Sequence, residues 1–124
     1  MPLDGSDYER TDPLHRLDAA IRLIDHPDNW LKGALVDDAG RRCITGALQA
    51  VQAPAKVLDA IGRSLPYRYW YRIASFNDAP ETTHDDVMRV LSAARVRLGG
   101  GPIPGFAAPR SWWQCFRFFE SPHG

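Results

Sequence analysis

Thr83-His84-Asp85-Asp86-Val87-Met88-Arg89-Val90-Leu91-Ser92-Ala93-Ala94-Arg95-Val96-Arg97-Leu98 is the stretch on which the fold turns. Val87, Leu91, Ala94 and Leu98 recur at spacings of 4, 3 and 4, which puts one apolar stripe on a helix. Thr83 and Asp86 stand in the Thr-x-x-Asp order of a capping box, where each side chain satisfies the other residue's backbone N–H. The helix therefore starts where the chain leaves the Asn77-Asp78-Ala79-Pro80 turn.

Working back from this helix, the same period recurs. Asp12-Pro13 reads as N-cap and first helical residue. Leu14, Leu17, Ile21 and Ile24 follow on one face, and Asp25-His26-Pro27 ends the helix. Ile44, Ala47, Leu48 and Val51 form another short stripe, with Gly46 and Ala47 leaving room for a close neighbour. Val57, Leu58, Ile61 and Leu65 form a third, closed by Pro66. Residues 31–43 fit a short β-hairpin or an irregular loop around Asp37-Asp38-Ala39-Gly40. Residues 67–76 read as a helix with Tyr67, Trp70, Tyr71 and Ala74 on one face. The fold class is mainly α: a small single domain of four to five short helices over residues 1–98, with 1–11 loosely ordered. A Gly/Pro linker follows at 99–110, and an aromatic C-terminal arm at 111–124.

Length and charge narrow the function. A chain of 124 residues is one domain, and 44% hydrophobic residues suffice for a core without staples. Fifteen Lys and Arg balance fifteen Asp and Glu. A general nucleic-acid binder needs a basic excess to release counterions, and this chain has none. The chain has no run of about 18 apolar residues to cross a membrane, and its acidic N-terminus has no secretory h-region. A cytoplasmic domain with reduced thiols at Cys43 and Cys115 is expected. Charge is uneven along the chain: residues 1–29 hold seven acids and three bases, residues 30–76 seven bases and three acids.

Two constellations carry chemistry. Cys43 precedes a helix, where a thiol can become nucleophilic, and His84, Asn77 and Asp78 supply a base and an orienter. These are the parts of a thiol-dependent hydrolase or transferase. The structural reading outweighs it: Cys is among the most buried residue types, and Asn and Asp are default turn and cap residues. As such, Asn77 and Asp78 are expected to bond backbone amides at 77–86, with Cys43 buried apart from His84. The second constellation interleaves Arg63, Arg68 and Arg72 with Tyr67, Tyr69, Trp70 and Tyr71. Core packing with the Arg side chains reaching solvent is the commonest fate of such a stretch, a protein interface the next, and a nucleic-acid groove the last. Trp112, Trp113, Phe116, Phe118 and Phe119 must also be covered, by the chain's own domain or by a partner.

His15, His26, Cys43, His84, Cys115 and His123 include no pair at metal-ligand spacing, so no metal is expected. Gly99-Gly100-Gly101 follows a helix and runs into prolines, so it is no phosphate cradle, and no cofactor is expected. The favoured function is a small non-enzymatic binding or regulatory module acting through protein–protein contacts. Its contact residues are Arg68, Trp70, Tyr71, Arg72, Trp112, Trp113 and Phe116, and its partner is another protein or a second copy of the chain joined through the arm.

The order Trp30, Cys43-x-x-Gly46-Ala47-Leu48, Phe76-Asn77-Asp78-x-Pro80 and Thr83-His84-x-x-Val87 resembles a family of uncharacterised bacterial and phage proteins. That family shows a Trp, a Cys-x-x-Gly-Ala-Leu segment and a Trp-Asn-Asp-x-Pro turn before a final helix, and Phe76 stands here where it has Trp. The resemblance covers about residues 13–98 and excludes the arm. It implies the helical architecture and carries no activity with it.

Overall fold

The structure is a computed structural model and describes residues 12–106. Residues 1–11, expected to be loosely ordered, and the arm with Trp112, Trp113, Cys115 and Phe116 lie outside the described residues. Five α-helices follow one another: α1 (Pro13–Ile24), α2 (Ile44–Ala50), α3 (Ala55–Ser64), α4 (Ile73–Asp78) and α5 (His84–Arg97). Single 3₁₀ turns lie at Pro27–Asn29 and Tyr67–Tyr69. Together they form one small, mainly helical domain.

The helix starts are those the sequence sets. Asp12 caps α1, accepting from the Leu14 N–H at 3.2 Å, with Pro13 in the first position. Both halves of the α5 capping box are present: Asp86 N–H to Thr83 Oγ1 at 3.1 Å, and Thr83 N–H to Asp86 Oδ2 at 3.0 Å. The apolar stripes meet in one core. Leu17, Ile21 and Ile24 of α1 lie with Ile44 and Leu48 of α2, Val57 and Ile61 of α3, Phe76 of α4, and Val87, Met88 and Leu91 of α5. Helices α1 and α5 run antiparallel, tied by Arg95 Nε to Asp18 Oδ1 at 2.6 Å and by His84 Nε2 to the Ile24 carbonyl at 2.8 Å.

One open alternative is decided and two expectations change. Residues 31–43 form no hairpin: among the described residues there is no strand, and the loop holds only isolated bridges of Arg42 to Trp30 and to Val36. The Asp37 carboxylate closes a local turn by gathering the Ala39 and Arg41 N–H groups, but the pairing stops at Val36 and Arg42 because the Arg42 N–H and carbonyl are bonded to Asn29 and Leu31. Residues 67–76 are not one helix. A 3₁₀ turn ends at Trp70, Tyr71 takes a left-handed conformation at φ 64°, and α4 begins only at Ile73. Asn77 and Asp78 belong to the last turn of α4, not to the turn before α5.

Past α5 the chain doubles back. The Gly100 N–H reaches the Arg95 carbonyl at 3.0 Å, and the Ile103 N–H reaches Ser92 Oγ at 2.9 Å. Ile103 and Phe106 then rest on the edge of the core.

Candidate functional site

The buried end of the molecule is organised by one side chain. Asn77 is fully buried in α4, and a buried amide must fill its hydrogen-bonding capacity or lose stability. It fills all of it. Its Oδ1 accepts from Trp30 Nε1 at 2.7 Å and from the Ile44 N–H at 3.1 Å. Its Nδ2 donates to the Leu31 carbonyl at 3.0 Å and to Asp78 Oδ1 at 2.9 Å. Two donors and two acceptor positions are the whole inventory of an amide. Asp78 in turn accepts from the Gly33 N–H at 2.9 Å, and Lys32 Nζ reaches the Ala79 carbonyl at the end of α4 at 2.6 Å. Asn77 and Asp78 therefore hold the 30–44 loop rather than the amides of residues 77–86 that local capping would favour. The preference for nearby partners loses here because the loop lies directly across α4.

Cys43 and His84 flank this knot. Cys43 is buried, and its Sγ caps α2 by accepting from the Gly46 N–H at 3.2 Å. Its own N–H donates to the Leu35 carbonyl at 3.3 Å. Gly46 explains why the spacing is tight, since a Cβ there would fall well inside contact distance of the Leu35 carbonyl. The His84 ring packs on Trp30 with centroids 5.8 Å apart, and its Nε2 is committed to the Ile24 carbonyl. Among the described residues no hydrogen bond joins the thiol to the imidazole or to Asn77. The four residues of the hydrolase reading share one neighbourhood around Trp30, yet each polar atom named here already has a structural partner. Nor do any three His, Cys, Asp or Glu side chains among the described residues stand together as a metal site.

The second constellation lies on the surface. Tyr67, Trp70 and Tyr71 are 56%, 40% and 46% exposed, far more than core residues. Of the aromatic rings in this segment, Tyr69 and Phe76 turn inward, touching edge to face at 5.8 Å. The turn is rigid despite its exposure. The Tyr71 N–H reaches the Gly62 carbonyl at 3.3 Å, and its hydroxyl donates to Asp59 Oδ1 at 2.7 Å. The ring lies on Gly62, which any side chain would displace. A left-handed non-glycine residue costs about 1–3 kcal/mol, and these contacts hold it there. Trp70 meets Tyr71 edge to face at 5.5 Å. Arg72 donates to the Arg68 carbonyl, while Arg68 lies over the Tyr69 ring at 5.5 Å and 3.9 Å from Glu81.

The charges around the turn are set by hydrogen bonds. The Tyr71 hydroxyl, aided by Arg63, holds the Asp59 carboxyl below its usual value, and Asp59 pushes the Tyr71 hydroxyl up. Tyr69 does the same for Glu81 through a 2.6 Å bond, and Glu81 raises Tyr69. Sequence reading passed over this pairing, and it also passed over a cavity of about 250 Å³ beside it, lined by Pro66, Arg68, Tyr69, Phe76, Glu81, Thr82 and Asp86. The partners lie twelve residues apart across α4, a spacing that carries no sequence signal.

A small helical domain pinned by a buried asparagine, with an aromatic and arginine turn on its surface, is the class that these observations define. The chain belongs to a family of unknown function, DUF6197, whose model matches residues 9–97. No curated protein and no solved structure matches it. The matched residues include Trp30, Cys43, Gly46, Asn77, Asp78 and His84, and they stop short of the arm. Among the described residues no helix is long and apolar enough to cross a membrane.

Proposed function

We propose that this chain is a cytoplasmic, non-enzymatic binding module that engages a protein partner through the turn formed by Tyr67, Arg68, Trp70, Tyr71 and Arg72. The carrying observation is the exposure of three aromatic rings, Tyr67, Trp70 and Tyr71, on a turn tethered at Gly62 and Asp59. Trp, Tyr and Arg dominate binding hot spots because they bury large areas at low entropic cost. A tethered turn has already lost the freedom that binding would otherwise remove, so more of the contact energy appears as affinity. The balanced net charge favours a protein over a nucleic acid. Supporting the same reading, Cys43 and Asn77 are spent on the Gly46, Ile44, Leu31 and Trp30 contacts and present no open nucleophile.

Site-specific photocrosslinking in the source cell tests the proposal. A photoreactive phenylalanine at position 70 is expected to give one discrete adduct, identified by mass spectrometry. The adduct should be lost when Arg68 and Arg72 are both changed to Ala, and it should not form from position 38 on the loop. Equal labelling from both positions would overturn the assignment of the face.

A further inference from the structure

The cavity beside the turn has an apolar floor and an acidic rim, and the chain runs toward it. Pro66, Tyr69, Phe76 and Thr82 form the floor, and Phe76 and Thr82 are buried. Glu81 and Asp86 complete the lining with Arg68, which is 3.9 Å from Glu81, while Asp86 Oδ2 holds the Thr83 N–H and its Oδ1 is 3.7 Å from Arg89. The Tyr69 bond keeps Glu81 in place and charged. Beyond α5 the backbone returns along that helix, with Gly100 at Arg95 and Ile103 at Ser92. Asp86 is six residues further toward the start of α5, or roughly 9 Å of helix rise. Eighteen residues follow Phe106, and the first large ring, Trp112, is six residues on. Six extended residues span roughly 20 Å, so reach is no obstacle.

We propose that this cavity receives the chain's own C-terminal segment, residues 107–124, through one aromatic ring with an arginine beside it. Phe116-Arg117-Phe118 carries both parts. The ring fills the floor at Tyr69 and Phe76, and the guanidinium faces Glu81 and Asp86. A volume of about 250 Å³ admits one such anchor, not the five rings of the segment. Two other cavities among the described residues fit less well. One is bordered by Lys56, Arg63 and Arg97 against a single carboxylate, Asp59, which Arg63 and the Tyr71 hydroxyl already hold, so its net charge repels an arginine. The other, over Leu48 and Leu58, offers no carboxylate. Docking here places the segment against Arg68, at the edge of the partner face, so the segment and a partner would compete for the same ground.

Cys115 adjoins Phe116 and supplies the probe. In the full chain carrying R68C, mild oxidation is expected to form the Cys115 disulfide within one molecule at least about ten-fold faster than in a K56C control. A docked segment has a high effective concentration at its own pocket, and Lys56 lies at the opposite end of α3. Rates are read by intact mass and peptide mapping. Equal rates in the two variants would overturn the proposal, and so would bonds formed only between molecules. The readout needs no partner, so it stands or falls separately from the crosslinking at position 70.

Discussion

Two regions of this molecule hold the same kinds of residue and use them in opposite ways. Around Asn77, polar and aromatic side chains turn inward, and their hydrogen bonds close on one another: Trp30, Ile44, Leu31 and Asp78 consume the whole amide. Around Tyr71, the rings of Tyr67, Trp70 and Tyr71 face outward on a turn held by the Tyr71 hydroxyl on Asp59 and the inward-turned Tyr69 on Glu81. The first arrangement fixes a loop and leaves nothing to offer a ligand. The second fixes a turn and leaves its faces bare. The contrast teaches that chemistry-bearing residue types locate function only after their partners are counted.

Changes at the buried knot should have the largest effects. Asn77→Ala orphans the Trp30 indole N–H, the Ile44 N–H and the Leu31 carbonyl. At about 1–3 kcal/mol for each unsatisfied buried group, a loss of about 3 kcal/mol or more is expected in denaturant unfolding. A loss under about 1 kcal/mol would mean that the amide is not the hub. Gly46→Ala comes next, because its methyl meets the Leu35 backbone, which cannot move as a side chain tip can. Overpacking of this sort costs about 1–3 kcal/mol, read in the same experiment.

The thiol sharpens the comparison with a smaller effect. Cys43→Ser keeps an acceptor for the Gly46 N–H, and serine is the better cap, so stability should change by less than about 1 kcal/mol. Cys43→Ala removes the cap and should lose about 1 kcal/mol. A stability difference of the opposite sign between the two variants would contradict the capping role.

At the turn the readout is pH rather than stability in bulk. Asp59 has a lowered folded value, so its contribution is present above its ordinary value of 3.8 and is lost as pH falls through the folded one. Tyr71 has a raised folded value, so its contribution is present below its ordinary value of 10.0 and is lost as pH rises through the folded one. Tyr71→Phe should therefore flatten the melting temperature below about pH 4 and above about pH 10, with little change between in its slope. An unchanged acid limb would show that Asp59 and Tyr71 are not coupled. Smallest of all, Arg68→Ala and Arg72→Ala should each shift stability by less than about 0.5 kcal/mol, as exposed substitutions do, while the two together abolish the adduct at position 70.

Much of this was legible in the residues, and the illegible parts have physical reasons. Asp12-Pro13 and Thr83-x-x-Asp86 mark helix starts because capping is a local bond, and both caps form. The apolar stripes of α1, α3 and α5 mark the core because burial follows the helical period. The break at Tyr71 was not legible, since a left-handed tyrosine is stabilised by Gly62 and Asp59 from a neighbouring helix. For Asn77 the sequence showed a polar residue where turns occur, and its partners at 30–44 come from the fold, more than thirty residues away. The burial of Cys43 is legible because cysteine is among the most buried residue types, and the residue is buried.

The reactivity of Cys43 tests most directly whether the buried knot is architecture. The full chain with Cys115→Ser presents one thiol to a maleimide or a disulfide reagent near neutral pH. A buried thiol that caps α2 should be modified only as fast as the protein opens, many-fold more slowly than in denaturant, and the rate should follow stability in the Asn77→Ala variant. Modification of the folded chain faster than that of the unfolded one would show a poised nucleophile and contradict the account.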